Sequence, residues 1–310
     1  CQNHGGNKNL VKEMIDEAAF AGSTHAKIQS IFSDEVTLRP EFERNNSSAS
    51  YYSRPYEKEF HRLKSLELSL DDHKFFIDYA HKKNLIPLTT IFTKKSAEKI
   101  FKLDWPVSLV KVASYDGMSY PLIDILASKF DHLIISTGAC YDEEIIEVNE
   151  LIRKNHPHTK LTYLHCVTKY PQKVTDGRLL RINWLKQFSH SVGLSDHSGR
   201  EFPIFLSKLS IYLGIDYLER HFTSKNFDET KDGPVSINSE ELIELVEFSK
   251  KKKNIQFEEL IDEYGRNLFN HALTYSPSMS TIDEVQTRNY YKGRFASKNT
   301  DGNYDFNWYQ

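Results

Sequence analysis

From residue 85 onward, short runs of aliphatic and β-branched residues alternate with segments whose apolar positions recur every three or four residues. The runs at 85–90, 108–114, 132–137, 161–167, 191–196 and 216–222 read as strands, with one earlier run at 25–30. Helical faces lie between and around them: Val11, Met14, Ile15 and Ala18 share one, Ile145, Val148 and Ile152 another, and Leu242, Leu245 and Val246 a third. Start signals agree, because Asn238 precedes Glu241 at capping-box spacing and Asp142-Glu143-Glu144 places negative charge on a first turn. A strand repeat of roughly 23 to 30 residues is one β-loop-α-loop unit, and it predicts an α/β fold, a (β/α)8 TIM barrel.

Seven strands are visible in this pattern, so the eighth is expected to be the first, truncated to a remnant around Cys1 to Asn3 just before the helix beginning near Asn9. Segment 32–65 is long and polar and contains Asn45-Asn46-Ser47-Ser48 and Tyr51-Tyr52. In a barrel, such an insertion after a strand falls on the catalytic face and reads as a lid or rim. The expected organisation is a barrel over 1–256 carrying that insertion and a C-terminal extension over 257–310, whose tail from Tyr275 shows no regular period. The run Lys250-Lys251-Lys252-Lys253 reads as a solvated helix end favoured by the helix dipole.

Composition narrows the function. With 40 basic and 43 acidic side chains the net charge is −3, which removes the basic field expected of nucleic-acid or anionic-membrane binding while leaving room for a local anion pocket. There is no apolar stretch of about 18 residues and no signal peptide at the start of this form of the chain. Cys1, Cys140 and Cys166 lie far apart without a C-x-x-C, so neither a disulfide framework nor a closed zinc site is expected, and a reducing cytoplasm is the default location.

Barrel enzymes collect their reacting groups at the C-terminal strand ends. Those ends carry Lys27 and Gln29, Thr90, Lys111, Ser114 and Asp116, Ser136-Thr137-Gly138, Thr168 and Tyr170, Ser195-Asp196-His197, and Glu219-Arg220-His221. A lysine within a parallel strand is costly unless it is paired, and Lys27 and Lys111 among the hydroxyls of Thr90, Ser114, Ser136 and Ser195 suit a small phosphate and carboxylate. The turn Ser136-Thr137-Gly138, expected to lead into a helix, adds backbone N–H donors. His197 and His221 end neighbouring strands, and two imidazoles completed by water and substrate oxygen suit an open divalent-ion site, with Mn²⁺ favoured over Mg²⁺ or Co²⁺.

These residues resemble the N-acetylneuraminate (sialic acid) synthase family, with its legionaminic and pseudaminic acid synthases. The resemblance rests on Asn3-His4-x-Gly6, Lys27-x-Gln29, Lys111-Val-Ala-Ser114, Ser136-Thr137-Gly138, Leu164-His165-Cys166-x-x-x-Tyr170-Pro171, Gly193-Leu194-Ser195-Asp196-His197, Glu219-Arg220-His221-Phe222 and the Asp232 to Ser236 spacing, all in family order. It implies a TIM-barrel transferase of carbohydrate biosynthesis that condenses phosphoenolpyruvate with the open-chain aldehyde of an N-acyl hexosamine, giving a nonulosonic acid and phosphate. By the resemblance, Lys27, Thr90, Lys111, Ser114, Ser136, Thr168 and Ser195 hold phosphoenolpyruvate, with Lys27, Lys111, His197 and His221 as the catalytic set. Gln29, Asp116, Tyr170, Asp232 and Phe295 contact the sugar, and His197 and His221 bind the metal. A homodimer is left open. Three departures stand out: Thr168 occupies a position where sialic acid synthases commonly have Asn, the family's preceding glutamate would fall before Cys1, and the antifreeze-like C-terminal domain that supplies an arginine to the acyl group is not expected here. A rim rebuilt from 32–65 and Arg294-Phe295 is one expected substitute.

Three other functions share parts of this pattern. A phosphoenolpyruvate-using synthase acting on an aldose phosphate would keep the lysines and metal and need further arginines. A Schiff-base aldolase or lyase would use Lys27 or Lys111 as a neutral amine without metal. A non-catalytic sugar-binding barrel would keep the cup and lose the chemistry.

Overall fold

Alternation along each strand sorts side chains into an inner and an outer face, and this sorting builds the fold. The computed structural model describes residues 2–43, 53–106 and 108–307; Cys1 and the stretch holding Asn45-Asn46-Ser47-Ser48 and Tyr51-Tyr52 lie outside them. Its strands are β1 (His25–Ser30), β2 (Ile86–Ile91), β3 (Val110–Val112), β4 (His132–Ser136), β5 (Lys160–Cys166), β6 (Ser191–Asp196), β7 (Tyr217–Phe222) and β8 (Ser236–Ile237). They form one sheet in sequence order, with every neighbouring pair parallel. Helices connect most of the strands, and the sheet curls into a half-barrel of the α/β TIM type.

Outward-facing Ile28, Ile91, Val110, Val112, Leu133, Ile135, Val192 and Leu194 share one buried core with Phe76, Ile100, Leu122, Val148 and Leu206 from the surrounding helices. Each such side chain contributes about 1.5 to 3 kcal/mol by leaving water. Inward-facing Leu88, Ile134 and Leu164, with Leu109, form a smaller apolar floor against Tyr217. Beneath that floor, at the N-terminal strand ends, His132 Nε2 meets Thr162 Oγ1 at 2.7 Å, and the His25 and His132 rings lie 6.1 and 5.8 Å from Tyr217. Gly193 belongs to this crowded interior: a Cβ there would come within 2.1 Å of the Tyr217 carbonyl oxygen. The floor separates this end from the cup above it.

Two features differ from the sequence expectation. Residues 2–6 are turns and not the remnant of a strand, since Gly5 and Gly6 have positive φ and the Asn3 amide donates to the Phe222 carbonyl and Ser236 Oγ, both at 2.8 Å. The eighth strand of the sheet is β8, which follows β7 in the chain. The tail is also more ordered than its lack of period suggests: it holds a helix, Ile282–Tyr291, and two short antiparallel strands, Ser297–Lys298 and Tyr304–Asp305. That helix is fixed by polar groups, with a Thr281–Glu284 capping box, Arg178 bound to Glu284 and Arg288 bound to Glu144, so no apolar stripe marks it. The lysine run fits its expectation only in part: Lys250 and Lys251 are exposed at a helix end and pair with Glu247 and Glu259, while Lys252 precedes and Lys253 begins the next helix, Lys253–Ala272. Among the described residues, no helix is long and apolar enough to cross a membrane.

Candidate active site

The insertion and the tail meet over the C-terminal strand ends. Val36 forms an antiparallel bridge to Phe295, the Ala296 N–H donates to the Glu35 carbonyl at 2.9 Å, and the Phe92 and Phe295 rings are 5.1 Å apart. Below this roof lies a cavity of about 310 Å³. Lys27, Gln29, Thr90, Lys111, Ser114, Asp116, Ser136, Tyr170, Ser195, His197, His221, Asp232 and Phe295 all line it. Thr168 does not: it is buried beside Gly138, where a Cβ would come 2.9 Å from its methyl carbon, and its hydroxyl has no partner among the described residues.

The cavity is built on paired strands. Ser195 and Asp196 of β6 stand in register with Glu219 and Arg220 of β7, so Ser195 and Glu219 point inward together while Asp196 and Arg220 point outward. Outside, Asp196 Oδ2 accepts from Arg220 Nη1 and from Ser207 Oγ, each at 2.5 Å. Inside, Ser195 Oγ donates to Glu219 Oε1 at 2.8 Å, and Glu219 lies 3.7 Å from Lys27 Nζ and 3.9 Å from Lys111 Nζ. Burial alone would raise the Glu219 carboxyl, but Lys111 and Lys27 outweigh it and bring it down to about 2. Lys111 is fully enclosed and donates to Ser136 Oγ at 2.7 Å and to the Val112 carbonyl at 2.8 Å. Its burial pulls the ammonium below the usual lysine range, with Glu219 acting in the opposite direction. Sequence reasoning gave Glu219 no role, although its place two residues from Tyr217 and His221 on one strand face was the available signal.

The turn after β4 departs from its expected role. The following helix begins only at Asp142, and the Gly138 N–H donates to Ser114 Oγ at 3.3 Å and is not directed at the open cavity.

His197 and His221 do meet, with ring centroids 5.2 Å apart and the Tyr170 ring 4.2 Å from that of His197. His221 Nδ1 lies 3.2 Å from Asp232 Oδ2, and His197 Nδ1 lies 3.3 Å from the Val167 carbonyl. Those contacts fix both rings through Nδ1 and leave each Nε2 without a hydrogen bond among the described residues. Burial and the neighbouring His221 lower His197 to about 3, which keeps its imidazole neutral, the form that ligates metal. The donor set therefore fits an open site of two imidazoles. Asp232 and Cys166 each approach one of the rings, but among the described residues no three His, Cys, Asp or Glu donors cluster here; the one such group, Glu244, Glu259 and Glu263, surrounds Lys208 Nζ at 2.5, 3.3 and 2.6 Å.

Burial raises Asp116 to about 7, with Asn307 from the tail only partly offsetting it. Burial likewise raises the Cys166 thiol to about 11, leaving a neutral sulfur 3.7 Å from His197 Nδ1. Arg54, Arg62 and Lys231, which also line the cavity, were not anticipated as site residues, because only folding of the insertion brings two of them to the rim.

Comparison with known proteins gives a consistent picture. Residues 14–258 match the model of the NeuB family. The chain is 30% identical to the N,N'-diacetyllegionaminic acid synthase of Legionella pneumophila, over 79% of this chain and 68% of that protein. It is 27% identical to the N-acetylneuraminate-9-phosphate synthase of Mus musculus, over 79% and 66%. The crystal structure of the N-acetylneuraminic acid synthetase of Leptospira borgpetersenii in complex with citrate superimposes with a TM-score of 0.67 at 25% identity, covering 93% of this chain and 88% of that one. The chain thus spans about two thirds of the length of the curated relatives it matches.

Proposed function

The chain belongs to the NeuB family, and on that premise we propose that it is a transferase condensing phosphoenolpyruvate with the open-chain aldehyde of an N-acyl hexosamine to give a nonulosonic acid and phosphate. The observation that carries this reading is the convergence of Lys27, Lys111 and four hydroxyl side chains on one enclosed cup that also holds the histidine pair. In the reaction, C3 of phosphoenolpyruvate bonds to the aldehyde carbon, water adds to C2, and the C2–O bond to phosphate breaks. Lys27 and Lys111, with Thr90, Ser114, Ser136 and Ser195, hold the carboxylate and phosphate of phosphoenolpyruvate as charge-assisted donors. Glu219 opposes the effect of burial on the Lys111 ammonium and lies beside both lysines before substrate arrives. Gln29, Asp116, Tyr170, Asp232 and Phe295 orient the sugar. Thr168 lies off the cavity wall and has no place in this account of the phosphoenolpyruvate site.

His197 and His221 would hold a divalent ion, most naturally Mn²⁺, which when bound supplies Lewis-acid polarisation of an oxygen ligand. Asp232 orients His221 through Nδ1. Lys111 donates to two acceptors and lies beside Glu219, contacts that favour its charged form while burial acts in the opposite direction, so trapping experiments separate this reading from Schiff-base chemistry. The proposed setting is the cytoplasm, with soluble substrates.

A phosphate-release assay with phosphoenolpyruvate, Mn²⁺ and a panel of free, acylated and phosphorylated hexosamines, with product masses recorded, tests the reading. Acceptor-dependent phosphate release, with a product whose mass is that of the acceptor plus pyruvate, is expected. Borohydride trapping of a pyruvate adduct, without acceptor-dependent release, would reverse it in favour of the Schiff-base chemistry.

A further inference from the structure

The tail grips the short turn that carries Asp116. Beyond β3, Ser114–Asp116 forms a single 3-10 turn at the cavity wall, and the Ser119 N–H donates to the Asp116 carbonyl at 3.0 Å. Tyr291 stacks on Tyr115 of this turn with ring centroids 4.3 Å apart, and both rings line the cavity. Farther along the tail, Asn307 is fully buried against the same wall: its carbonyl accepts from Ser119 Oγ at 3.0 Å, and its side-chain amide nitrogen donates to the Phe92 carbonyl. The same side chain is a hydrogen-bond donor to the Asp116 carboxyl. The stretch that delivers it is fastened on the way, with the Lys95 N–H donating to Ser297 Oγ at 3.1 Å, Lys94 paired with Asp305 at 2.5 Å and the Tyr304 hydroxyl donating to the Val36 carbonyl at 3.2 Å.

Asp116 depends on that partner. It is only 8% exposed although it lines the cavity, and among the described residues no ion pair reaches it. The charged groups on the elements packed around it are engaged elsewhere: Lys111 with Ser136, Val112 and Glu219, Lys94 with Asp305, Lys95 with the Lys298 carbonyl, and Arg288 with Glu144. A buried carboxyl without a cation is oriented by hydrogen bonds alone. The Asn307 amide is also more than filler. Its Oδ1 is buried without a hydrogen-bond partner among the described residues, a cost that an apolar side chain of the same volume would not carry.

We propose that Asn307 is a positioning residue for the acceptor side of the cup: it holds the Asp116 carboxyl in the orientation from which that group meets the sugar, and so ties the sugar contact to docking of the tail. The inference rests on the reading above, in which Asp116 orients the acceptor. Asn307 does not line the cavity, so it acts through Asp116 and not on the substrate. As a donor it favours the charged form of Asp116, against the burial that raises this carboxyl to about 7. Loss of the donor therefore moves the Asp116 titration to still higher pH.

The test is a pH titration of the full chain followed by nuclear magnetic resonance, with aspartate labelled at its side-chain carboxyl and asparagine at its side-chain amide. The Asp116 signal is the one missing from Asp116→Asn. In the parent the Asn307 amide signal should move with the ionisation of Asp116, and in Asp116→Asn it should stay still, a measurement that needs no change at Asn307. In Asn307→Leu, which keeps most of the buried volume, Asp116 should titrate at higher pH than in the parent. Steady-state phosphate release with phosphoenolpyruvate, Mn²⁺ and N-acetylmannosamine should show a KM for the sugar raised roughly 2- to 12-fold in Asn307→Leu, the range for one neutral hydrogen bond, with the KM for phosphoenolpyruvate unchanged. An Asn307 amide indifferent to Asp116, an unmoved Asp116 titration in a folded Asn307→Leu, or equal changes in both KM values would overturn the assignment. Coupled titration of the two residues, with no phosphate release from phosphoenolpyruvate by the parent under any condition, upholds the hold on Asp116 and defeats the condensation reading.

Discussion

Asp196 Oδ2 and Arg220 Nη1 stand 2.5 Å apart on the outer side of β6 and β7, both side chains almost wholly buried. Their pairing fixes the register in which Ser195 faces Glu219, and one residue further along each strand His197 meets His221. Desolvation and Coulomb attraction nearly offset each other in such a pair, but removing one partner strands the other charge.

Arg220→Met should therefore destabilise the fold by about 3 to 5 kcal/mol, the range for breaking a buried pair. The Asp196→Asn/Arg220→Met double variant should recover part of that loss. Urea denaturation measures both, and a single variant within error of the parent would show that the pair does not carry the register.

The sheet and most of the cup were legible in the sequence because each depends on local alternation. Residues 217, 219 and 221 share a strand face by period two, which is why the end of β7 could be read from three letters. Non-local features escaped. Arg54 and Arg294 are 240 positions apart in the numbering and both reach Glu59 because 35–37 pairs with 294–296, and no period records that pairing. The helix Ile282–Tyr291 escaped for a different reason: ion pairs anchor it where a periodicity argument looks for apolar residues, though its Thr281–Glu284 spacing was a readable start signal.

Lys111→Met should raise the KM for phosphoenolpyruvate or eliminate turnover while the fold survives, since Met keeps most of the buried volume and removes the charge. A lost charge-assisted contact corresponds to roughly 10- to 150-fold in affinity. Steady-state kinetics decide it, and unchanged phosphoenolpyruvate parameters would remove Lys111 from the proposed site.

His197→Ala/His221→Ala should abolish Mn²⁺ binding measured by electron paramagnetic resonance titration of the protein without substrate. In the proposed site the two imidazoles would be the protein's donors, and Asp232 would act on it by orienting His221. Retention of Mn²⁺ at the parent's affinity would place the ion elsewhere.

Asp116 gives the protein a pH dependence of a particular sign. Its carboxyl is raised from the ordinary 3.8 to about 7, first by burial, so between those values the folded state keeps a proton that the unfolded chain has released. Stability from this group consequently falls as pH rises through that window, in contrast to Glu219, whose lowered carboxyl costs stability only on acidification. Three pKa units correspond to about 4 kcal/mol at the alkaline end. Asp116→Asn cannot ionise and should match the parent near pH 4, then exceed it progressively up to about pH 7.5. Denaturation midpoints for the two proteins should separate across that interval and run parallel above it. Midpoints that stay parallel throughout would mean that Asp116 ionises in the folded protein at its ordinary pH, and that the tail does not seal it from water.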